Sequence, residues 1–183
     1  MGIDFDRRVA ARWTLSLALR AWFVRSPGTV AGIALGLALC PRFRNTTLDA
    51  VMVCDNELYF TEYITGLYTE LGMSPQRAKA IVSDRIRFIQ GKGAGYAISR
   101  DEELDTTLDV ASESSICLDP TYTGKALHYW LEHVRRAGAE YAGKRAMYVH
   151  TGGLGSLYGN EALERRAVSR GRDRWCRLSL NDG

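Results

Sequence analysis

Apolar positions along the chain fall into two alternating patterns. Short, nearly continuous apolar runs read as buried strands: Leu48–Cys54, then Arg85–Ile89, Ile116–Leu118 and Arg145–His150. Between them lie stretches with helical spacing. Phe60, Tyr63, Ile64, Leu67, Tyr68 and Leu71 form an aromatic stripe that ends at Gly72 and reads as core. Ser74-Pro75 opens a short helix to about Val82. Ser99 and Glu102 have the spacing of a capping box, and Leu104, Thr107, Leu108 and Ala111 would face inward from the helix it starts. Ala126, Leu127, Trp130, Leu131 and Val134 mark another amphipathic helix. Toward the N-terminus, residues 7–24 are compatible with a helix carrying Val9, Trp13, Leu17 and Leu19 partly on one face. Ser26-Pro27-Gly28-Thr29 then leads into the small-residue run Val30–Leu37, which predicts a helix packed closely on a sheet.

Alternation of strands and helices predicts an α/β fold, a mostly parallel sheet with helices on both faces. Ligands of such sheets sit at the carboxyl ends of the strands. The turns Gly91–Tyr96, Asp119–Gly124 and Thr151–Gly153 all follow predicted strands, so a parallel sheet brings them to one edge. The Ser26–Thr29 turn is either an ordinary helix cap or an anion site, since free N–H groups and the helix dipole favour phosphate there.

Composition narrows the function classes. At 183 residues, 46% hydrophobic and 25% charged, the chain has what a soluble globular domain needs. A net charge of +3 does not argue for nucleic acid, despite an arginine-rich tail (Arg165, Arg166, Arg170, Arg172, Arg174, Arg177) expected to be a solvated helix or a disordered extension. Thr29–Cys40 is apolar but too short to span a bilayer, so no membrane partner is expected. Cys40, Cys54, Cys117 and Cys176 lack metal or redox spacing, and His128, His133 and His150 add no ligand pattern; buried reduced thiols in a cytoplasmic setting are expected. The N-terminal arginines also have the look of a mitochondrial presequence, which Asp4 and Asp6 weaken.

Five segments in order carry a resemblance. They are Ser26-Pro27-Gly28-Thr29-Val30-Ala31-Gly32, Val53-Cys54-Asp55 with Tyr59 and Phe60, Gly93-Ala94-Gly95-Tyr96, Leu118-Asp119-Pro120-Thr121-Tyr122-Thr123-Gly124-Lys125-Ala126, and His150-Thr151-Gly152-Gly153. Together they resemble the C-terminal portion of the 1-aminocyclopropane-1-carboxylate deaminase / D-cysteine desulfhydrase family, pyridoxal-phosphate enzymes of the tryptophan-synthase-β type. The resemblance covers roughly residues 26–158. It implies pyridoxal 5'-phosphate as cofactor, held through Ser26, Gly28, Thr29, Thr123 and Thr151. It implies catalytic positions at Tyr96 and Tyr122, facing the substrate, where either could assist proton transfer. Thr123 and Thr151 follow the desulfhydrase-type pattern, since deaminase-type members carry Glu and Leu there. D-cysteine is therefore the expected substrate, converted to pyruvate, hydrogen sulfide and ammonia. Aminocyclopropane carboxylate is the alternative.

The departures matter as much. The family's cofactor-bearing lysine lies upstream of the phosphate loop, and the lysines here are Lys79, Lys92, Lys125 and Lys144, none in such a motif. Pro27 replaces a glycine and removes one N–H donor. Arg25 and Ser115 also stand at glycine positions, and the strand preceding the phosphate loop is not recognisable. The expected organisation is a divergent leader over 1–24, an incomplete enzyme-like domain over 25–159 and a tail over 160–183. A homodimer, or pairing with a full-length paralogue as a non-catalytic remnant, is the expected way to cover an incomplete sheet.

Overall fold

The computed structural model describes residues 19–24 and 27–178. Strand β1 (Leu19–Val24) leads to helix α1 (Pro27–Leu39), a short 3-10 turn and strand β2 (Thr47–Met52). Helices α2 (Glu57–Glu70) and α3 (Pro75–Arg85) precede β3 (Ile86–Gln90). Helices α4 (Asp101–Ser114), α5 (Thr123–Arg136) and α6 (Gly138–Tyr141) lead to β4 (Arg145–Tyr148), and α7 (Glu161–Leu178) closes the described chain.

The four strands are parallel, in the order β3-β2-β1-β4. The chain winds outward from β1 to β3, then returns to place β4 on the other side of β1. That reversal is the switch point of an open α/β sheet, where a crevice opens beyond the strand ends. Here it is flanked by the N-terminus of α1 and the turn after β4.

β2 explains the layering. Leu48, Ala50 and Met52 join Val30, Ala34, Phe60, Ile64, Tyr68 and Val82 in one core. Val51 and Val53 point the opposite way, joining Ile89, Val110, Leu118, Ala126 and Trp130 in a second. Each large side chain so buried contributes about 1.5–3 kcal/mol. Asp49, on the second face, is fully buried. It accepts from Trp130 Nε1 at 3.1 Å and Tyr141 OH at 2.8 Å, which ties β2 to α5 and α6. Burial, then the bond to Asp49, push the Tyr141 hydroxyl up to about 12.

The predicted parallel sheet with helices on both faces is present. Several local expectations are corrected. Residues 19–24 are the strand β1, not the end of a helix over 7–24, whose earlier part lies outside the described residues. Ile116–Leu118 joins no strand, and Ile116 and Cys117 are exposed, so Cys117 is not a buried thiol. The capping pair is one residue on: the Arg100 N–H donates to Glu103 Oε2 at 3.0 Å, while Ser99 Oγ donates to the Pro120 carbonyl. The tail is a helix docked on α4 through Arg166 and Arg170, which pair with Asp101, Asp105 and Asp109.

Candidate active site

The turn between Leu118 and α5 is built around one carboxylate. Asp119 is fully buried. Its Oδ1 accepts from the N–H groups of Thr121 (3.1 Å) and Tyr122 (2.6 Å), and its Oδ2 from the N–H (2.9 Å) and hydroxyl (2.6 Å) of Thr123. These donors belong to the turn that enters α5 and to its first residue, and the charge that satisfies them also suits the helix dipole. Pro120 after Asp119 keeps the helix from starting earlier. Gly124 lets α5 approach α4: a Cβ there would fall on Thr107 Oγ1.

The same carboxylate gathers the turn after β4. Ser156 Oγ donates to Asp119 Oδ1 at 3.2 Å. Gly153 has φ +97°, and a Cβ on it would stand 2.8 Å from Asp119 Oδ2. His150 adds a second tie. The Gly152 N–H donates to its Nδ1 at 3.0 Å, which leaves Nε2–H to donate to the Cys117 carbonyl at 3.0 Å.

Tyr96 and Tyr122 meet. Their hydroxyls are hydrogen-bonded, with ring centroids 5.9 Å apart. Tyr96 arrives on the loop after β3, and Tyr122 immediately precedes α5. Under the loop, Lys125 is 1% exposed. Its Nζ donates to the carbonyls of Gly95 (2.8 Å) and Ile98 (2.7 Å) and stands 3.6 Å from Glu103 Oε2. Burial pulls the Lys125 ammonium down from its usual range, against the opposing charge of Glu103. Tyr129 OH donates to Glu103 Oε1 at 2.7 Å, and burial with that contact raises its hydroxyl to about 12.

Of the residues expected to hold a cofactor, Gly28 and Thr29 lie in the first turn of α1, which carries no acidic residue. Thr151 lies exposed in the turn after β4, beside β1. Thr123 is buried, and its hydroxyl is taken up by Asp119. Ser26 lies outside the described residues. Sequence reasoning gave no role to Asp119, Glu103 or Lys125. The Asp-Pro pair before a helix was a usable signal for Asp119; the Glu103–Lys125 meeting depends on α4 packing on α5 and had none.

No family model matches the chain. It is 32% identical over 157 residues to the bifunctional D-cysteine desulfhydrase/1-aminocyclopropane-1-carboxylate deaminase, mitochondrial, of Arabidopsis thaliana, covering 86% of this chain and 36% of that protein. A Thermotoga maritima protein provisionally named 1-aminocyclopropane-1-carboxylate deaminase is 30% identical over 148 residues, covering 79% of this chain and 43% of its own. A crystal structure of an ACC deaminase homologue superposes with a TM-score of 0.60 at 24% identity, over 80% of this chain and 43% of that one. The fold is therefore that of part of the ACC deaminase homologue, an open parallel α/β sheet covered by helices on both faces. Over the aligned part the chain is similar to proteins named for 1-aminocyclopropane-1-carboxylate deaminase and D-cysteine desulfhydrase, and it spans less than half the length of the relatives it matches. Among the described residues, no helix is long and apolar enough to cross a membrane.

The family's cofactor can be tested against the residues present. Donor groups of the kind noncovalent contacts would use are present: N–H groups at the start of α1, the Thr151 hydroxyl in the turn after β4, and the phenols of Tyr96 and Tyr122. Covalent attachment does not fit. Lys125 is buried and engaged, and Lys79, Lys92 and Lys144 are exposed away from the β1–β4 crevice, on α3, after β3 and before β4.

Proposed function

We propose that this chain is the sheet-and-crevice portion of a pyridoxal-phosphate enzyme acting on a small amino acid, with D-cysteine β-elimination as its reaction. D-cysteine and water give pyruvate, hydrogen sulfide and ammonia. The observation that carries this reading is the pairing of the Tyr96 and Tyr122 hydroxyls on the loops expected to face substrate. The bound cofactor would supply the electron sink. Gly28 and Thr29 would hold its phosphate by N–H donation. One phenol would hold or move a proton at its hydroxyl while the other orients it. Thr123 and Thr151 together support D-cysteine over aminocyclopropane carboxylate: deaminase-type members carry Glu and Leu there, and a neutral hydroxyl in place of the carboxylate suits the easier departure of thiolate. The Arabidopsis relative's name carries both activities.

A second reading is favoured by exposure. Tyr96, Ile98, Leu154 and Tyr158 are 55%, 58%, 46% and 86% exposed. In that reading the chain is a non-catalytic module whose face is covered by a longer relative. Sulfide release from D-cysteine with added pyridoxal phosphate separates the two. Release that exceeds the free cofactor's and falls about 100-fold or more in Tyr122→Phe supports the enzyme. No release, with no cofactor binding, would overturn it. Ammonia from aminocyclopropane carboxylate without sulfide from D-cysteine would move the substrate assignment.

A further inference from the structure

The buried pair of Glu103 and Lys125 has no part in the reaction described above, and its presence needs a reason. Burying two charges costs several kcal/mol per ion before their attraction is counted, and an apolar pair would join α4 to α5 as well. What an ammonium adds is directional donation. Lys125 gives its hydrogen bonds to the Gly95 and Ile98 carbonyls, which bracket Tyr96 on either side.

We propose that Lys125, held in place by Glu103, is the positioning residue that sets the Tyr96 loop against Tyr122. Independent contacts fix the same loop over the same pair. A Cβ at Gly93 would lie 2.5 Å from both Glu103 Oε1 and Tyr129 OH, so the loop rests directly on the carboxylate. The Arg100 N–H donates to Glu103 Oε2, closing the loop's far end on it. Ser99 Oγ reaches the Pro120 carbonyl at 3.0 Å, two residues before Tyr122. Between the two tethered carbonyls the backbone takes left-handed values, +146° at Gly95 and +58° at Ala97. For alanine that conformation is strained, and the tether must offset the strain. Lys125 therefore acts through the loop, and Tyr129 holds the outer oxygen of Glu103 so that the inner one faces the ammonium.

The importance of this device for turnover rests on the proposed function, but its test does not. The full chain is labelled at the tyrosine ring carbons, and Tyr96→Phe and Tyr122→Phe identify their two signals. Lys125→Met alone, and Lys125→Met with Glu103→Gln, remove the ammonium without and with its partner charge. The expected result is that the Tyr96 and Tyr122 signals move to free-tyrosine positions while Tyr68 and Tyr148 stay. Cleavage by trypsin at Lys92 and Arg100 rises about 10-fold or more. Unmoved Tyr96 and Tyr122 signals in a folded variant would overturn the proposal. If neither variant folds, amidination of the unaltered chain decides: Lys125 should react at least about 10-fold more slowly than Lys79, Lys92 and Lys144, and equal rates would overturn the tether. Neither readout uses cofactor or substrate, so a failure here is distinct from an absence of sulfide release.

Discussion

Asp119 accepts from three backbone N–H groups and two hydroxyls while fully buried, so the turn carrying Tyr122 depends on one side chain. Asparagine would turn an N–H₂ toward donors on one side and remove the charge that strengthens every bond. Asp119→Asn should cost about 3 kcal/mol, read as a lower urea midpoint at unchanged slope. A cost below about 0.5 kcal/mol would mean that the turn holds itself by backbone alone. Gly153→Ala strains the same place from the other side, through its left-handed φ and its approach to Asp119. It should cost about 1–2 kcal/mol, and less when combined with Asp119→Ala, because the clash disappears. Full additivity of the two would show that the turns are energetically separate. Thr123→Val leaves the Asp119 N–H without the acceptor it has at 2.8 Å, and should cost about 1–3 kcal/mol by the same measurement.

At the scale of elements, the docking of α7 on α4 is electrostatic. Arg166 meets Asp101 and Asp105, and Arg170 meets Asp105 and Asp109, one helical turn apart. These pairs are partly exposed, so each is weak and screened by salt. The hydrogen bond from Arg166 holds the Asp105 carboxyl below its usual range. A carboxylate depressed in the folded state contributes stability above its unfolded pKa and loses it as pH falls through the folded value. Amide protection along α7 should therefore fall below about pH 4 and in 1 M salt, while protection in β2 persists. Loss of both together would mean that α7 is part of the cooperative core. The arginine spacing was visible in the sequence, but Asp101, Asp105 and Asp109 lie on another helix, so their meeting was not. β1 failed for a different reason. Its residues, Leu19-Arg20-Ala21-Trp22-Phe23-Val24, include good helix formers, and only pairing with β2 and β4 makes them a strand. Ile116–Leu118 failed in reverse, since a three-residue apolar run looks the same with or without a neighbouring strand. The Tyr96 and Tyr122 loops were legible because their Gly-x-Gly-Tyr and Asp-Pro-x-Tyr turns are local; Lys125 beneath them was not.

At the scale of the whole molecule, the strand order decides which loops share the crevice. The first turn of α1 and the Thr151 turn flank adjacent strands, and the Asp119 turn is tied to the latter through Gly153 and Ser156. The four lysines are distributed without regard to that crevice. Lys144 precedes β4 and so lies at the opposite end of the sheet. Lys92 follows β3, separated from β1 by β2, and Lys79 sits on α3. Any pyridoxal phosphate bound by this chain should accordingly be held without a covalent bond. It should be lost on desalting and displaced by inorganic phosphate, because the α1 N–H groups supply the main anion contacts. Borohydride reduction followed by peptide mapping should find no stoichiometric label on any of the four lysines. A stoichiometric label on Lys92 would mean that the loop after β3 rearranges to bring Lys92 from its exposed position to the cofactor, and the tethered arrangement of that loop would then be one of two states. A stoichiometric label on Lys125 would require its release from Glu103 and both carbonyls, which would make the buried pair a cover for the nucleophile and no longer a fixed support.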